Sequence, residues 1–393
     1  MLPEARTRSA EPPPPPNQKF SIISGGPWNE LARRLHLLRP DGVLRVWRLV
    51  AFAWVPLVLA TAVRMAFGRA ADPMMLDLSV HVRFLVSLPL LVVSERLLEP
   101  QCRVAIDQLY TGRFADPHAL DTVLARAERM RDRPWAELVL AALALAGGQL
   151  VLWGVAGPTG LFHGIDVAQT SFARIWYTAL ALPLLQFLTL RWLWRWLLWC
   201  WILWRLSRLP LAGVATHPDG AAGLGFLGAP VTGFAAFVLA FSSMLAAAWG
   251  TQLIDGYVTT PSLLPSMILF LVIAFLASCG PLLPFSLHLF NARRQALAVY
   301  SPFALDYVRD FHHKWIDQRG GEPVLGTPDL QSLADLGNSY RVIETTGLFL
   351  FSTRKLTELW LAAIIPMLPL ALTQVSVEVV VRRIGSALFG GLI

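Results

Sequence analysis

Seven stretches of this chain stay apolar over about 20 residues, the length a helix needs to cross the roughly 30 Å hydrocarbon core of a bilayer. They run over 47–67, 78–98, 136–157, 174–196, 229–250, 264–290 and 357–377 of the 393 residues. Composition agrees: 55% of residues are hydrophobic and 15% are charged, with a mean hydropathy of +0.53, against about 25% charged residues in soluble domains. An ordinary soluble enzyme is excluded. The expected fold is all-α, a polytopic membrane bundle of about seven transmembrane helices with a small cytoplasmic helical cap.

The basic residues orient that bundle. Of the 33 Lys and Arg only three are Lys (Lys19, Lys314 and Lys355). With the N-terminus in the cytoplasm, 27 of the 33 fall on the cytoplasmic side, as the positive-inside bias requires. The remainder, Arg64, Arg69, Arg83 and Arg174 near the opposite face and Arg382 and Arg383 near the end, leave two readings for 357–377: a seventh span or a re-entrant element, kinked by Pro366 and Pro369.

Six regions follow. Residues 1–26, with the run Pro12 to Pro16, form a disordered cytoplasmic tail without a signal peptide. Residues 27–46 form a basic amphipathic interfacial segment. Residues 47–290 make a six-span bundle that includes a cytoplasmic helical loop at 97–134. Residues 291–356 form a second cytoplasmic helical segment. The element at 357–377 comes next, and residues 378–393 close the chain as an amphipathic helix. Asp116-Pro117, Ser301-Pro302 and Thr327-Pro328 pair a capping residue with proline at the first helical position, so each predicts a helix start. The three helices are expected to pack on one another and on the inner ends of the spans as one cap.

The most unusual stretch is Arg191 to Arg205, which holds six of the fifteen tryptophans. A helix from Arg174 to Leu209 would be about 54 Å long and must leave the bilayer core. Its ordinary reading is an aromatic belt with arginines stacked on Trp faces. Its functional reading is a cationic vestibule at Arg191, Arg195, Arg205 and Arg208 that attracts anions or lipid headgroups. Next comes His217-Pro-Asp-Gly-Ala-Ala-Gly-Leu-Gly-Phe-Leu-Gly228, a glycine-rich turn. Gly223, Gly225 and Gly228 match GxGxxG in letters, but no strand or βαβ unit accompanies them. What is left is a turn whose N–H groups could form an anion nest with His217 and Asp219, or a close-packed entry loop.

Asp306, Asp310 and His313 share a helical face, but Arg309 and Lys314 are interspersed, which favours charge pairing over a metal site. Cys102, Cys200 and Cys279 are odd in number and without a CxxC pair, indicating neither disulfides nor zinc. No Walker A, HExxH, GxSxG or EF-hand pattern occurs, so no catalytic residues, metal or cofactor are assigned, and an enzyme is the less favoured class. The intramembrane polar residues include Gln186, Thr189, Thr232, Ser242, Ser243, Ser278, Thr373 and Gln374.

The segments His217 to Gly228, Lys314-Trp315 and Leu330 to Tyr340, followed by the proline-bearing last span, resemble a group of uncharacterised bacterial multi-pass membrane proteins of about this length. The resemblance implies a bacterial inner-membrane location and carries no activity. Two functional readings lead: passive permeation or binding of a small anion or amphiphile, and a non-transporting scaffold or sensor whose cap docks a partner. A membrane enzyme using His217, Asp219, His288 or the Asp306/His313 face comes third. Expected partners are membrane lipids, with a cytoplasmic protein or a second copy of the chain as further candidates and nucleic acid excluded.

Overall fold

A computed structural model of the chain describes residues 20–23, 25–37, 45–152, 171–317 and 326–372. The regular elements of the described residues are all helices, with no strands. Five helices are long and apolar enough to cross a membrane: Val46–Ala66 (α2), Leu78–Thr111 (α3), Phe172–Leu206 (α6), one that begins at Gly225 and whose α-helical part is Pro230–Ile254 (α7), and Thr260–Asp317 (α8). Pro27–Arg34 (α1) precedes them, and Pro117–Arg131 (α4) and Pro134–Leu152 (α5) lie between α3 and α6. Pro328–Thr345 (α9) and Thr353–Ile364 (α10) follow α8, and short helical turns continue α10 to Leu372.

Five of the seven expected spans thus have a matching helix of spanning length. The third meets α5, in which the apolar stretch Pro134–Gly147 is shorter than a span, and the seventh meets α10 and its continuation. Residues 378–393, with Thr373, Gln374, Arg382 and Arg383, lie outside the described residues, as do 1–19 and 38–44 of the expected tail and interfacial segment.

Packing explains the layout. α7 lies at the centre, with α3 along one side and α10 along another, while α5 and α4 both lie on α6. α3 and α7 approach so closely at Gly233 that a Cβ there would stand 2.9 Å from the Cα of Leu98, the small-residue contact by which membrane helices pack. One buried cluster joins α3, α4, α6 and the 221–234 region; another joins α2, α3 and α6.

One expectation is corrected. Ser301-Pro302 does not begin a helix, because it lies inside α8, which passes through it from Ser286 to His312 as regular α-helix. Pro302 costs that helix one exposed backbone bond, and the pairing of α8 with α9 spans the site: Ser301 Oγ lies 3.1 Å from Tyr340 Oη, Tyr307 Oη donates to the Asp329 carbonyl, and Lys314 Nζ reaches Asp329 Oδ2 at 2.6 Å. The expected packing of the three helices on one another is seen for α8 with α9, while α4 packs elsewhere. α4 buries Leu120, Val123, Leu124 and Ala127 and packs on α6, whereas α9 packs on the far half of α8.

Candidate functional site

Arg191 and Arg195 are one turn apart on α6 and so share a face, and that face is interior: they are 1% and 2% exposed. Arg191 Nη1 pairs with Glu95 Oε1 of α3 at 2.7 Å, and its Nη2 donates to Asn29 Oδ1 and to the Ile23 carbonyl. Arg195 donates from Nη1 to the Ile22 carbonyl at 2.6 Å and from Nη2 to the Gly25 carbonyl at 3.0 Å and Glu137 Oε1 at 3.4 Å. Glu137 Oε2 accepts the Trp28 N–H at 2.6 Å, Glu99 Oε2 accepts the N–H groups of Ile22 and Ile23, and Arg131 donates to the Ser21 carbonyl.

Residues 20–23 and 25–26, assigned by sequence to a disordered tail, therefore lie in a polar slot at one end of the bundle, with Phe20 and Ile22 buried. Gly25 and Gly26 have φ of +130° and +84°, and Cβ atoms there would stand 2.5 Å from Asp132 Oδ1 and 2.6 Å from Glu137 Oε1. Only glycine passes that way. The slot is balanced in charge, with Arg103, Arg131, Arg191 and Arg195 facing Glu95, Glu99, Asp132 and Glu137.

The four arginines proposed as one cationic vestibule are thus split. Arg191 and Arg195 are neutralised and buried, while Arg208 is exposed and Arg205 half-buried beside Trp201 and Trp204. The tryptophans divide likewise. Trp192 is buried and stacked on Phe237 at 3.5 Å, and Trp199 is buried too, so this face is core and the outward Trp201/Trp204 end alone is belt-like.

The glycine turn has an occupant of its own. The Asp219 carboxylate accepts the N–H groups of Ala221, Gly223 and Gly225 at 2.9, 3.0 and 3.0 Å, and His217 Nδ1 stands 2.9 Å from it. Partial burial pushes this carboxyl up, but the three N–H bonds and His217 outweigh it and hold Asp219 below the usual carboxylate range. His217, Asp219, Gly223 and Gly225 come together, then, as a self-filled turn in which Asp219 takes the place of an external anion.

Asp306 lies 3.8 Å from Arg309, and His312 and His313 face Asp317 on an exposed surface. Among the described residues no three His, Cys, Asp or Glu side chains are disposed to hold a metal. His288 donates from Nε2 to the Ser207 carbonyl at 2.6 Å and lines a groove of about 610 Å³ between residues 210–216 and α8.

The feature sequence reasoning missed is inside the bundle. Arg83 opens a π-helical turn in α3, Arg83–Ser87, and Tyr177 opens another in α6, Tyr177–Ala181. π-Bulges recur at functional sites, and these two meet: Arg83 Nη1 donates to Tyr177 Oη, and Phe84 stands edge-on to the Tyr177 ring at 5.9 Å. Beside them α5, α6 and α7 flank an open-sided cavity of about 450 Å³. Its wall is apolar (Leu182, Phe241, Met244) except for Arg83, Gln186 and Thr189. Gln186 Oε1 is buried without a hydrogen-bond partner among the described residues, and Gly147 makes room for this amide, since a Cβ there would stand 2.8 Å from it. Leu143, 55% exposed, also lines the cavity, which therefore opens on the lipid-facing side of α5. Of the other polar span residues, Ser243 lines a separate cavity and Ser242 donates to the Ala363 carbonyl. Arg83 sits near the start of its span and reads as an interface residue, while Gln186 and Thr189 were visible as intramembrane polar groups.

No family model, no curated protein and no solved structure matches this chain.

Proposed function

We propose that this protein binds an amphiphile within the membrane, in the cavity between α5, α6 and α7, with Gln186 and Arg83 meeting its polar end. The observation that carries this reading is the buried, unpartnered Gln186 Oε1 in an otherwise apolar cavity of about 450 Å³. That volume lies in the range of small-molecule sites, which combine apolar walls with a few convergent polar groups. A buried acceptor left empty costs about 1–3 kcal/mol, so a ligand with a hydroxyl or amide donor and an apolar tail gains most there. Anion permeation has less support, because Arg191 and Arg195 already hold carboxylates and main-chain carbonyls.

The location that fits is a bacterial inner membrane with residues 20–34 on the cytoplasmic side. The Lys and Arg distribution supports this orientation, and counting α5 and the 353–372 helices as crossings gives seven. The test is direct. Purified protein is titrated with a fluorescent long-chain alcohol, and Gln186→Leu and Thr189→Phe are each expected to weaken binding about tenfold, the loss of one buried hydrogen bond or of the space it needs. Wild-type affinity in both variants removes the proposal.

A second reading rests on a different observation. The far half of α8 and its partner α9 expose Phe303, Val308, Ile316 and Leu330, an apolar surface of the kind that docks a cytoplasmic protein or a second copy of the chain. Crosslinking from Phe303 in membranes tests it, and a pattern free of any protein adduct counts against it.

A further inference from the structure

Trp201 lies between guanidinium groups from two different helices. Arg126 of α4 stands 5.8 Å from its ring centroid and Arg205 of α6 stands 6.0 Å away; Trp204 in turn lies 6.0 Å from Arg205 and 5.2 Å from Arg208. Arg126, Trp204 and Arg208 are exposed, and Trp201 and Arg205 are half-buried. Some surface cations hold a carboxylate: Arg33 and Arg34 pair with Glu30, Arg309 with Asp306 and Arg354 with Glu358. Among the described residues Arg126, Arg205 and Arg208 have no such partner.

The fold places this group at the membrane boundary. α6 is 35 residues long, about 52 Å, so its C-terminal turns emerge from a core of about 30 Å. Trp201 and Trp204 sit in those turns, at the level where tryptophan prefers the headgroup region. The buried stripe Leu120, Val123, Leu124, Ala127 holds α4 against α6 and leaves Arg126 on the outer side. One turn before Trp201, Leu197 is 50% exposed, so the cationic group continues into the lipid-facing apolar surface of α6.

We infer that Arg126, Arg205 and Arg208, supported by Trp201 and Trp204, form a binding site for the phosphate of an anionic membrane lipid. Guanidinium groups bind phosphate through charge-assisted, often bidentate hydrogen bonds. The indole faces hold the three cations against their mutual repulsion. The apolar continuation along Leu197 receives an acyl chain, which selects a lipid over free phosphate.

The test uses the full chain in detergent, with bound lipid counted by native mass spectrometry after addition of phosphatidylglycerol, phosphatidylcholine or inorganic phosphate. Phosphatidylglycerol is expected to bind about tenfold more tightly than phosphatidylcholine, the scale set by a few juxtamembrane arginines. The variant R126Q/R205Q/R208Q loses that preference. The variant R33Q/R34Q/R354Q, which removes the same charge elsewhere, keeps it. Arg126→Gln alone, on the other helix and exposed, lowers the preference partway without threatening the fold. No preference in the wild type, a preference that survives R126Q/R205Q/R208Q, or one lost equally in the control variant overturns the inference. Displacement of phosphatidylglycerol by an equal concentration of inorganic phosphate overturns the lipid as the source of the phosphate.

Discussion

Arg195 Nη1 donates to the carbonyl oxygen of Ile22 at 2.6 Å, joining positions 173 residues apart in sequence. The contact makes the segment before α1 part of the bundle. A buried guanidinium needs several acceptors, and the carboxylates of Glu95 and Glu137 supply only some of them; main-chain carbonyls of Ile22, Ile23 and Gly25 supply others. A buried ion pair adds little net stability over an apolar pair, yet breaking one is expensive, because the orphaned charge stays behind.

Glu137 therefore marks the most sensitive position in the slot. It accepts from Trp28 N–H and faces both Arg191 and Arg195. Glu137→Ala is expected to cost about 3–5 kcal/mol. Glu30→Ala, which removes the exposed partner of Arg33 and Arg34, is expected to cost less than about 1 kcal/mol. Thermal unfolding of the two variants in detergent checks the ranking, and equal shifts contradict it.

Removing residues 1–26 and replacing Arg195 with Ala should not add. Each takes away one side of the same contacts to Ile22 and Gly25, so the double change is expected to cost less than the summed single changes by about 0.5–3 kcal/mol. A double-mutant cycle on the unfolding midpoint measures this directly, and additive losses would show that the segment and the arginine act independently.

The helical class and most spans were legible in the sequence because long apolar runs have one solution in lipid. The buried slot was not, for a physical reason: the Pro-rich residues around Pro12 to Pro16 resemble a disordered tail, and only the short run Phe20, Ile22, Ile23 ahead of Gly25-Gly26 signalled that its end is buried. Arg191 and Arg195 looked cationic because sequence shows charge but not its neutralisation by Glu95 and Glu137 from other helices. His217 and Asp219 do lie with the glycines, yet the residue that fills the turn belongs to it. Arg83 read only as an interface residue because a π-helical turn has no signature in a single sequence.

Asp219 gives a pH prediction with a definite sign. Its carboxyl is held below the ordinary value of 3.8 in the folded chain, so its contribution is fully present above that value and is lost as pH falls through the lower folded pKa. The unfolding midpoints of wild type and Asp219→Asn should differ most at neutral pH and converge below about pH 4. A gap that widens on acidification contradicts the three N–H bonds as its origin.

Gly233 and Gly337 should respond in opposite directions to the same change. A Cβ on Gly233 would press on the Leu98 backbone at 2.9 Å, whereas one on Gly337 in exposed α9 meets nothing within 4 Å. Gly233→Ala is expected to destabilise by about 1–3 kcal/mol through overpacking. Gly337→Ala should stabilise by about 0.5–1 kcal/mol through lower backbone entropy in the unfolded chain. The same unfolding assay reads both, and a harmless Gly233→Ala would mean that α3 and α7 can separate freely.

Gln186 separates binding from stability. Its Oε1 has no partner among the described residues, so Gln186→Leu replaces a desolvated acceptor with apolar surface of similar reach in a wall already formed by Leu182 and Leu185. Without ligand the variant should unfold at a temperature equal to or above that of the wild type, by up to the 1–3 kcal/mol that an unsatisfied buried polar atom costs. With a long-chain alcohol present the order should reverse, because a ligand that binds only the folded state stabilises it by an amount set by its affinity, and the wild type alone offers it a hydrogen bond. Tyr177→Phe completes the comparison. It removes the hydroxyl that Arg83 donates to and should lower the midpoint with or without the alcohol, as expected for a group that holds the site together. A Gln186→Leu variant that is destabilised to the same degree in both conditions would assign Gln186 to the packing of α5 on α6 and leave the cavity without its polar contact.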